Sequence, residues 1–394
     1  MNAPAIVIAG GGTGGHLFPG VALADELSRR GATITFVGTS RGIEARVIPQ
    51  TPYTLALIDV AGLKGQGLRA TLRNLLRLPL SLLQAHRLLG RIRPAAVVGV
   101  GGYASGPLVL VAALRGIPSL ILEQNSIPGI TNKILSRFVR SVVIAFPQAA
   151  DYFPRHKVFP LGNPIRAAIA AQATDPAQPI SSTPLTNRTA APESSSPLTN
   201  PAAAVESSSS LTSAAAPIRI LVLGGSQGAT AVNDLFTAAV AAAATQNPAV
   251  RDRLRIHHQT GAKDRDRIAE RYRAAGFTDT QAQVSDFIAD MGAAYRDCDL
   301  MVGRAGATTI AELTAIGRPA LLIPFPQATD DHQTHNARFM VAEGAAELWP
   351  QATTTTAALA ARLLTLAGLV DTPQGDPPRA QLARMAAHSR ALGR

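Results

Sequence analysis

The chain has 394 residues, of which 37 are Lys or Arg and 26 are Asp or Glu, so its net charge is +11. Hydrophobic residues make up 46% of it and aromatic residues only 4%. At roughly 100–200 residues per domain, the length predicts two domains, and the apolar content is sufficient for a core in each. The single cysteine, Cys298, excludes a disulfide framework and a cysteine-based metal cluster.

Two apolar stretches resemble membrane segments at first sight. The N-terminus reaches a glycine cluster after a short apolar run and has no basic segment before it, so we expect no secretory signal. The uncharged run from Pro94 to Leu114 has the length of a transmembrane helix, but it contains four glycines and a second proline. This composition predicts a strand, a glycine loop and a buried helix instead.

A low-complexity segment divides the chain. Residues 171–217 are almost wholly Ala, Ser, Thr, Pro and Asn, and none of them is aromatic. Such a segment cannot bury enough apolar surface to offset the entropy lost on ordering. We therefore predict a disordered insert at 171–217 between an N-terminal domain of residues 1–170 and a C-terminal domain of residues 218–394.

Short apolar runs alternate with helical segments on both sides of the insert. Runs without polar alternation predict parallel strands that are covered on both faces. These strands are AIVIAG, ATITFVG, AAVVGVG, SLILEQ and SVVIAF before the insert, and IRILVLGG, LRIHHQ, DLMVGRAG and PALLIPF after it. We expect an α/β protein of two Rossmann-like, doubly wound domains, with a site where the carboxyl ends of the strands face a cleft.

The glycine-rich loop Gly10–Gly15 follows the first predicted strand and satisfies the pattern GxGxxG. Glycines let backbone N–H groups approach an anion at the start of a helix. A dinucleotide site would also require an acid at the end of the second strand, and no acid lies between that strand and Glu44, so we do not favour nicotinamide binding. His16 follows the loop and could act as a base near neutral pH, although a structural role is the usual alternative.

The second domain has two similar loops, Gly224–Gly228 and Arg304–Thr309, each after a predicted strand. Two loops at the ends of adjacent strands can face one pyrophosphate with the positive ends of helix dipoles. Each could also be an ordinary strand-to-helix turn. Glu312, one turn further on, could accept hydrogen bonds from ribose hydroxyls or could favour the helix N-terminus.

The letters DxD occur twice, at 264–266 and 297–299. Such carboxylate pairs hold a divalent metal in many sugar-nucleotide enzymes. Here one pair lies on an arginine-rich helix and the other lies where a helix gives way to a strand. We expect these acids to be solvated and predict no metal dependence.

The excess positive charge lies almost entirely in the first domain, whose residues 1–170 contain 18 basic and 6 acidic side chains. Between Val60 and Leu122 there is no acid, and leucines are interleaved with Lys64, Arg69, Arg73, Arg77, Arg87, Arg91, Arg93 and Arg115. A basic face beside an apolar one is typical of a segment that lies on an anionic membrane. The alternatives are core leucines beside solvated arginines, or nucleic acid, which the near absence of aromatic residues disfavours.

Seven longer motifs occur in one order across both domains, and together they closely resemble the MurG-type N-acetylglucosaminyltransferases of peptidoglycan synthesis. They are GGTGGHLFPG, GVGGYASGP, EQNSIPGITNKILSRF, GNPIR, LVLGGSQGA, GRAGATTIAEL and PFPQATDDHQTHNA. The resemblance implies the GT-B fold. It also implies an inverting reaction, in which the C4 hydroxyl of lipid I attacks C1 of the sugar in UDP-N-acetylglucosamine and UDP is released.

The same resemblance implies partners and a location. Lipid I, the undecaprenyl-pyrophosphoryl N-acetylmuramyl-pentapeptide, is the expected acceptor, and no cofactor or metal is expected. We expect peripheral association with the cytoplasmic face of the inner membrane. Other cell-wall synthesis or division proteins are possible partners, and nucleic acid is not expected.

Residue roles in the first domain also follow from the resemblance. His16 is the expected general base, and Tyr103 is a weaker candidate on the acceptor side, with packing beneath the glycine loop as the alternative. Thr13, Gly14 and Gly15 are expected against the donor sugar and the acceptor pyrophosphate. Asn125 is expected at the sugar hydroxyls, and Arg166 is expected near the nucleotide.

In the second domain, Ser226 is the expected phosphate-loop contact and Ile288 the backbone partner of uracil. Gln333 is expected to contact the sugar. The stretch expected to surround diphosphate and ribose consists of Ala307, Thr308, Thr309, Ile310, Ala311 and Glu312. Two other hypotheses remain open on the sequence alone: another GT-B enzyme of UDP-sugars, such as a UDP-N-acetylglucosamine epimerase or a small-molecule glycosyltransferase, or a non-catalytic sugar-nucleotide sensor.

Overall fold

A computed structural model describes residues 3–60, 78–173, 216–224, 228–371 and 376–393. Most of the predicted insert and Ser226 therefore lie outside the described residues, as do Lys64, Arg69, Arg73 and Arg77 of the basic stretch. The predicted domain boundaries at 171–217 stay a prediction.

The first sheet has seven parallel strands in the order β3-β2-β1-β4-β5-β6-β7. They are β1 (Ala5–Gly10), β2 (Thr33–Gly38), β3 (Thr54–Leu57), β4 (Ala96–Gly101), β5 (Ser119–Glu123), β6 (Ser141–Ile144) and β7 (Val158–Phe159). The strand order reverses between β1 and β4, and such a switch point opens a crevice at the carboxyl ends of the strands. Both glycine motifs of this domain follow these two strands.

Most of the described helices of the first part of the chain connect these strands and flank the sheet, and the last one follows β7. They are α1 (Gly14–Arg29), α2 (Glu44–Val47), α3 (Leu78–Ile92), α4 (Ser105–Leu114), α5 (Ile130–Leu135) and α6 (Ala167–Ala173). Short 3-10 helices lie at Ile48–Gln50, Pro147–Tyr152 and Arg155–Lys157.

The second sheet has six parallel strands in the order β10-β9-β8-β11-β12-β13. They are β8 (Ile218–Leu223), β9 (Leu254–Gln259), β10 (Ala282–Ser285), β11 (Leu300–Gly303), β12 (Ala320–Leu322) and β13 (Ala346–Leu348). The helices are α7 (Thr230–Gln246), α8 (Val250–Arg253), α9 (Arg265–Ala274), α10 (Met291–Asp297), α11 (Ala307–Ile316), α12 (His332–Ala342), α13 (Thr356–Leu366) and α14 (Pro378–Ala391), with a 3-10 helix at Thr329–Asp331.

Both sheets are buried on both faces. Along β1, Ile8 packs into one apolar cluster while Val7 and Ala9 pack into another on the opposite face. Along β8, Ile220 and Leu221 divide between two clusters in the same way. Successive side chains of a strand point to opposite faces, so a strand covered on both must be apolar throughout. The expected pair of doubly wound α/β domains is confirmed.

The uncharged run from Pro94 to Leu114 forms the buried strand β4, a glycine turn and helix α4, as predicted. No helix of the described residues is long and apolar enough to cross a membrane. At the other end of this domain, α6 packs on α10 and α11 of the second domain. Ile169 of α6 is completely enclosed in a second-domain cluster. The segment after β7 is therefore attached to the second domain, and the end of α6 overlaps the first residues of the predicted insert at 171–217.

Candidate functional site

The first glycine loop ends at Thr13, which is the N-cap residue of α1. Gly12 has φ +83°, a conformation that favours glycine. The Thr13 hydroxyl lies 3.2 Å from Nδ1 of His16, one turn into the helix. The loop thus places the predicted base at the carboxyl end of β1, with a hydroxyl beside its ring.

The second glycine motif packs directly against this loop. A Cβ atom on Gly101 would lie 2.7 Å from the His16 ring, and one on Gly102 would lie 2.3 Å from the carbonyl oxygen of Gly11. Only glycine fits at these two approaches, so both motifs serve to bring two loops together. Tyr103, the next residue, is 53% exposed. Its proposed packing beneath the glycine loop is therefore wrong, and its ring is open to the solvent.

The His16 imidazole is uncharged at neutral pH. Burial lowers its pKa to about 4, and the facing charge of His332 contributes in the same direction. His332 begins α12 in the second domain, so the two histidines face each other across the cleft. Helix α1 also packs against α11 of the second domain. The structure therefore brings the helix that carries His16 against the helix that begins with the expected Ala307–Glu312 stretch.

A buried carboxylate organises the loop that carries Asn125. Glu123 accepts hydrogen bonds from the amide of Asn125 (3.0 Å), the amide of Gly129 (3.3 Å) and the side chain of Asn132 (2.9 Å). Burial raises the pKa of Glu123, and these donors oppose the rise. This arrangement holds Asn125 at the carboxyl end of β5, where its side-chain oxygen accepts a bond from Asn336 (3.3 Å).

Asn336 of α12 is completely buried and joins the two domains. Its side-chain oxygen accepts bonds from the amide and the hydroxyl of Ser126, and its side-chain nitrogen also donates to the Ala305 carbonyl (3.2 Å). Sequence reasoning identified the motif that contains Asn336 but not this residue. Its neighbours from His332 to Arg338 are mostly polar, so no local signal in the sequence distinguishes it.

The expected diphosphate stretch forms the first turns of α11. Its strand, β11, lies directly beside β8, so the two second-domain loops do end adjacent strands, as predicted. Gly306 is the N-cap residue, which directs the positive end of the helix dipole to the end of β11. Ala307 and Ile310 are buried, while Thr308, Thr309 and Ala311 are half-buried.

Glu312 lies in the second turn of α11, so the proposal that it favours the helix N-terminus is wrong. Its carboxylate is instead buried in a polar cluster. One oxygen accepts two bonds from Arg166 (2.9 and 3.1 Å), and the other accepts a bond from the Tyr295 hydroxyl (3.1 Å). Burial raises the pKa of Glu312, and Arg166 opposes that rise. Arg166, which follows β7, thus reaches the ribose-contact candidate of the second domain.

Two further expected contacts have partners within the protein. The backbone N–H of Ile288 donates to the side-chain oxygen of Gln259 (2.9 Å), and the Ile288 side chain is buried. The Gln333 side-chain oxygen accepts a bond from the Phe325 amide (3.0 Å). Gln333 lies one residue after His332, on the same turn of α12, and both are half-buried.

The two DxD patterns are not pairs of solvated acids. Asp299 is buried and forms a bidentate ion pair with Arg219. Asp264 is also buried and accepts bonds from Arg267, Thr230 and Asn233. Both carboxylates thus already have arginine or hydrogen-bond donors of the protein as partners. Within the described residues, no three His, Cys, Asp or Glu side chains are grouped so as to hold a metal.

Comparison with known proteins agrees with this geometry. Residues 6–144 match the N-terminal domain of glycosyltransferase family 28, and residues 219–388 match its C-terminal domain. An Anaeromyxobacter protein is 46% identical over 360 residues, covering 91% of this chain and 84% of that protein. A Citrifermentans bemidjiense protein is 42% identical over 389 residues, covering 98% of this chain and 95% of that protein.

Both relatives are named UDP-N-acetylglucosamine–N-acetylmuramyl-(pentapeptide) pyrophosphoryl-undecaprenol N-acetylglucosamine transferase. The crystal structure of Acinetobacter baumannii MurG is similar at a TM-score of 0.70 and 29% identity, covering 99% of this chain and 96% of that chain. The similarity spans both domains, and the rival epimerase, small-molecule transferase and sensor hypotheses are not favoured. The chain therefore belongs to the MurG-type transferases of glycosyltransferase family 28.

Proposed function

We propose that this chain transfers N-acetylglucosamine from UDP-N-acetylglucosamine to the C4 hydroxyl of lipid I. The observation that carries the proposal is that α1, with His16 in its first turn, packs against α11 while His16 faces His332 of the second domain across the cleft. One side offers an uncharged base, and the other offers a helix N-terminus suited to a diphosphate.

The proposed chemistry assigns a role to each side. His16 accepts the proton of the C4 hydroxyl as the hydroxyl oxygen bonds to C1 of the sugar. The bond between C1 and the phosphate oxygen breaks, its electron pair leaves with UDP, and the product is a β-1,4 linkage. Backbone N–H groups at the start of α11 stabilise the charge on the departing diphosphate.

Asn125 and Gln333 support binding of the donor sugar, since both stand on elements that meet at the cleft. Arg166 and Glu312 support binding of the nucleotide, and the backbone of Ile288 is assigned to uracil. Thr13, Gly14 and Gly15 are assigned to the sugar and to the acceptor pyrophosphate. These assignments rest on motif matches and on the positions of the residues along the cleft.

The test is release of UDP from UDP-N-acetylglucosamine in the presence of a lipid I analogue, with product identified by mass. Wild-type protein is expected to release UDP only when both substrates are present. His16→Ala is expected to lower the turnover number by about 10²–10⁴ while UDP affinity is retained. Binding of the donor without sugar transfer would support a sensor instead, and near-normal turnover of His16→Ala would remove His16 from its role.

We also propose that the first domain binds an anionic membrane surface at the cytoplasmic face of the inner membrane. The leucines of α3 divide between two environments: Leu89 is buried, whereas Leu80 and Leu83 are 48% and 44% exposed. Arg87 and Arg91 on the same helix are exposed. Exposed apolar side chains beside exposed basic side chains support insertion at the headgroup level, with about 1 kcal/mol of attraction per charge.

Flotation with vesicles tests this second proposal. Binding is expected to increase with the fraction of anionic lipid and to fall in a Leu80→Ser/Leu83→Ser variant. Val370→Ser removes a comparably exposed apolar side chain from the second domain and is the matched control. Binding that does not depend on anionic lipid would contradict the proposal.

A further inference from the structure

Glu44, the first residue of α2, is a charged side chain with only 1% of its surface exposed. One carboxylate oxygen accepts a bond from the Gly12 amide (2.7 Å). The other accepts bonds from the amide of Thr39 (2.8 Å) and from its hydroxyl (2.9 Å). A buried carboxylate is costly unless hydrogen bonds replace its hydration, and here three donors do so.

The space for this carboxylate exists because three glycines surround it, one in the first glycine loop and two at or just after the end of β2. A Cβ atom on Gly11 would lie 2.1 Å from a carboxylate oxygen, and one on Gly42 would lie 2.0 Å from the same oxygen. A Cβ on Gly38 would lie 2.3 Å from the Glu44 side chain. The glycines at these positions thus form a compartment for one carboxylate beneath the first glycine loop.

The consequence concerns the anion that a glycine loop is expected to bind. At Gly12 that anion is supplied by the protein itself, so this amide is already occupied. On its other side the loop is held by the β4 turn, where the Gly11 amide donates to the Gly101 carbonyl (3.3 Å). The loop is therefore fixed from two directions just before Thr13 and His16.

We propose that Glu44 is a positioning residue for the transfer reaction: its carboxylate fixes the glycine loop and thereby the orientation of His16 in the cleft. Glu44 does not touch substrate in this role and acts only through the loop. The proposal rests on the function proposed above, in which His16 is the base. In this proposal Glu44, the acid that follows β2, binds the backbone of the glycine loop and not a ribose.

Two variants test the proposal. Glu44→Gln keeps the shape of the side chain but replaces one accepting oxygen with an NH₂ group. That group faces the N–H of Gly12 or of Thr39 and cannot accept its hydrogen bond. Glu44→Ala empties the compartment. For both, the turnover number at saturating substrates is expected to fall tenfold or more, with the dissociation constant for UDP within twofold of wild type, because the nucleotide loops lie in the other domain. Added formate is expected to restore part of the turnover of Glu44→Ala.

A second readout does not depend on turnover. The NMR titration of the His16 imidazole, identified by its loss in His16→Ala, is expected to change in Glu44→Gln because the loop carries that ring. Glu26→Gln is the matched control, since it removes an equally charged side chain from the exposed face of α1. It is expected to leave turnover and the His16 titration unchanged.

The proposal is overturned if both Glu44 variants keep turnover within twofold and leave the His16 titration unchanged. It is also overturned if turnover and UDP affinity fall together, since that would mean a general loss of structure. If wild-type protein releases no UDP with the acceptor, the proposed transfer reaction fails. The His16 titration of Glu44→Gln still decides the positioning role in that case.

Discussion

The side-chain oxygen of Asn336 accepts two hydrogen bonds from Ser126, one from its amide at 2.9 Å and one from its hydroxyl at 2.8 Å. Both residues are buried, although they belong to different domains. The same asparagine donates to Asn125, the expected contact of the donor sugar. One side chain thus fixes the distance between the domains and the position of a candidate binding residue.

We predict that Asn336→Ala opens the cleft. Leaving a buried donor or acceptor unpaired costs about 1–3 kcal/mol per group, and truncation affects several groups at once. We expect a larger radius of gyration by small-angle X-ray scattering and at least a tenfold loss in kcat/KM for transfer. Ser126→Ala removes only the hydroxyl and is expected to show a smaller change in the same direction. Unchanged scattering and rate in Asn336→Ala would contradict the prediction.

The pH dependence of transfer is predicted to follow His16. A general base works when unprotonated, so its contribution is present above its pKa and is lost as the pH falls through it. Because burial and His332 lower the pKa to about 4, we expect kcat/KM to stay flat from pH 7 to pH 5. His332→Gln is expected to raise the pKa and to move the acid limb upward.

The control for this profile is His335→Gln, which alters another half-buried histidine on the same helix. It is expected to leave the acid limb where wild type has it. An acid limb near the ordinary histidine pKa in wild type, with no response to His332→Gln, would show that the cleft does not depress the His16 pKa.

Arg166 is predicted to keep Glu312 ionised. Burial raises the pKa of this carboxyl group and the arginine opposes the rise, so Arg166→Gln should raise the pKa further. The protonated acid accepts hydrogen bonds less well, and we therefore expect UDP affinity in this variant to fall as the pH is lowered from 8 to 5.5. Calorimetric titration measures this, and Arg166→Lys is expected to retain part of the wild-type behaviour. A pH dependence identical to wild type would exclude the coupling.

The sequence predicted the central strands of both sheets and their loops, because those strands lie within longer, mostly apolar runs. It did not predict β3, β7, β10 and β13, which are two to four residues long and are the edge strands of the two sheets. A segment such as Ala282–Ser285 has little strand signal of its own. It forms a strand because β9 offers an adjacent edge with free backbone groups.

The candidate site divides in the same way. Residues inside glycine loops were identified because a phosphate-binding loop needs a local pattern, and His16 follows one directly. The contacts that connect loops were not predicted, although Arg166 and Glu312 were each named as candidates, because the partners are distant in the chain. Ser126 and Asn336 are 210 residues apart, and Arg166 and Glu312 are 146 apart. Nothing local in the sequence distinguishes such a polar residue from a solvated one, which is also why Asp299 was assigned wrongly.

The acid pair at 297–299 is predicted to serve stability rather than metal binding. Removing one partner of a buried ion pair costs about 3–5 kcal/mol, because an uncompensated charge remains. Asp299→Asn, which leaves Arg219 without its carboxylate, is therefore expected to lower the free energy of unfolding by an amount in this range. Asp297→Asn is the matched control, since that side chain is 45% exposed, and it is expected to change stability little.

Both variants, like wild type, should show the same transfer rate with EDTA as with added magnesium. The assignment would be contradicted if wild type needed magnesium for transfer and either substitution abolished that dependence. Such a result would mean that the carboxylates bind the ion.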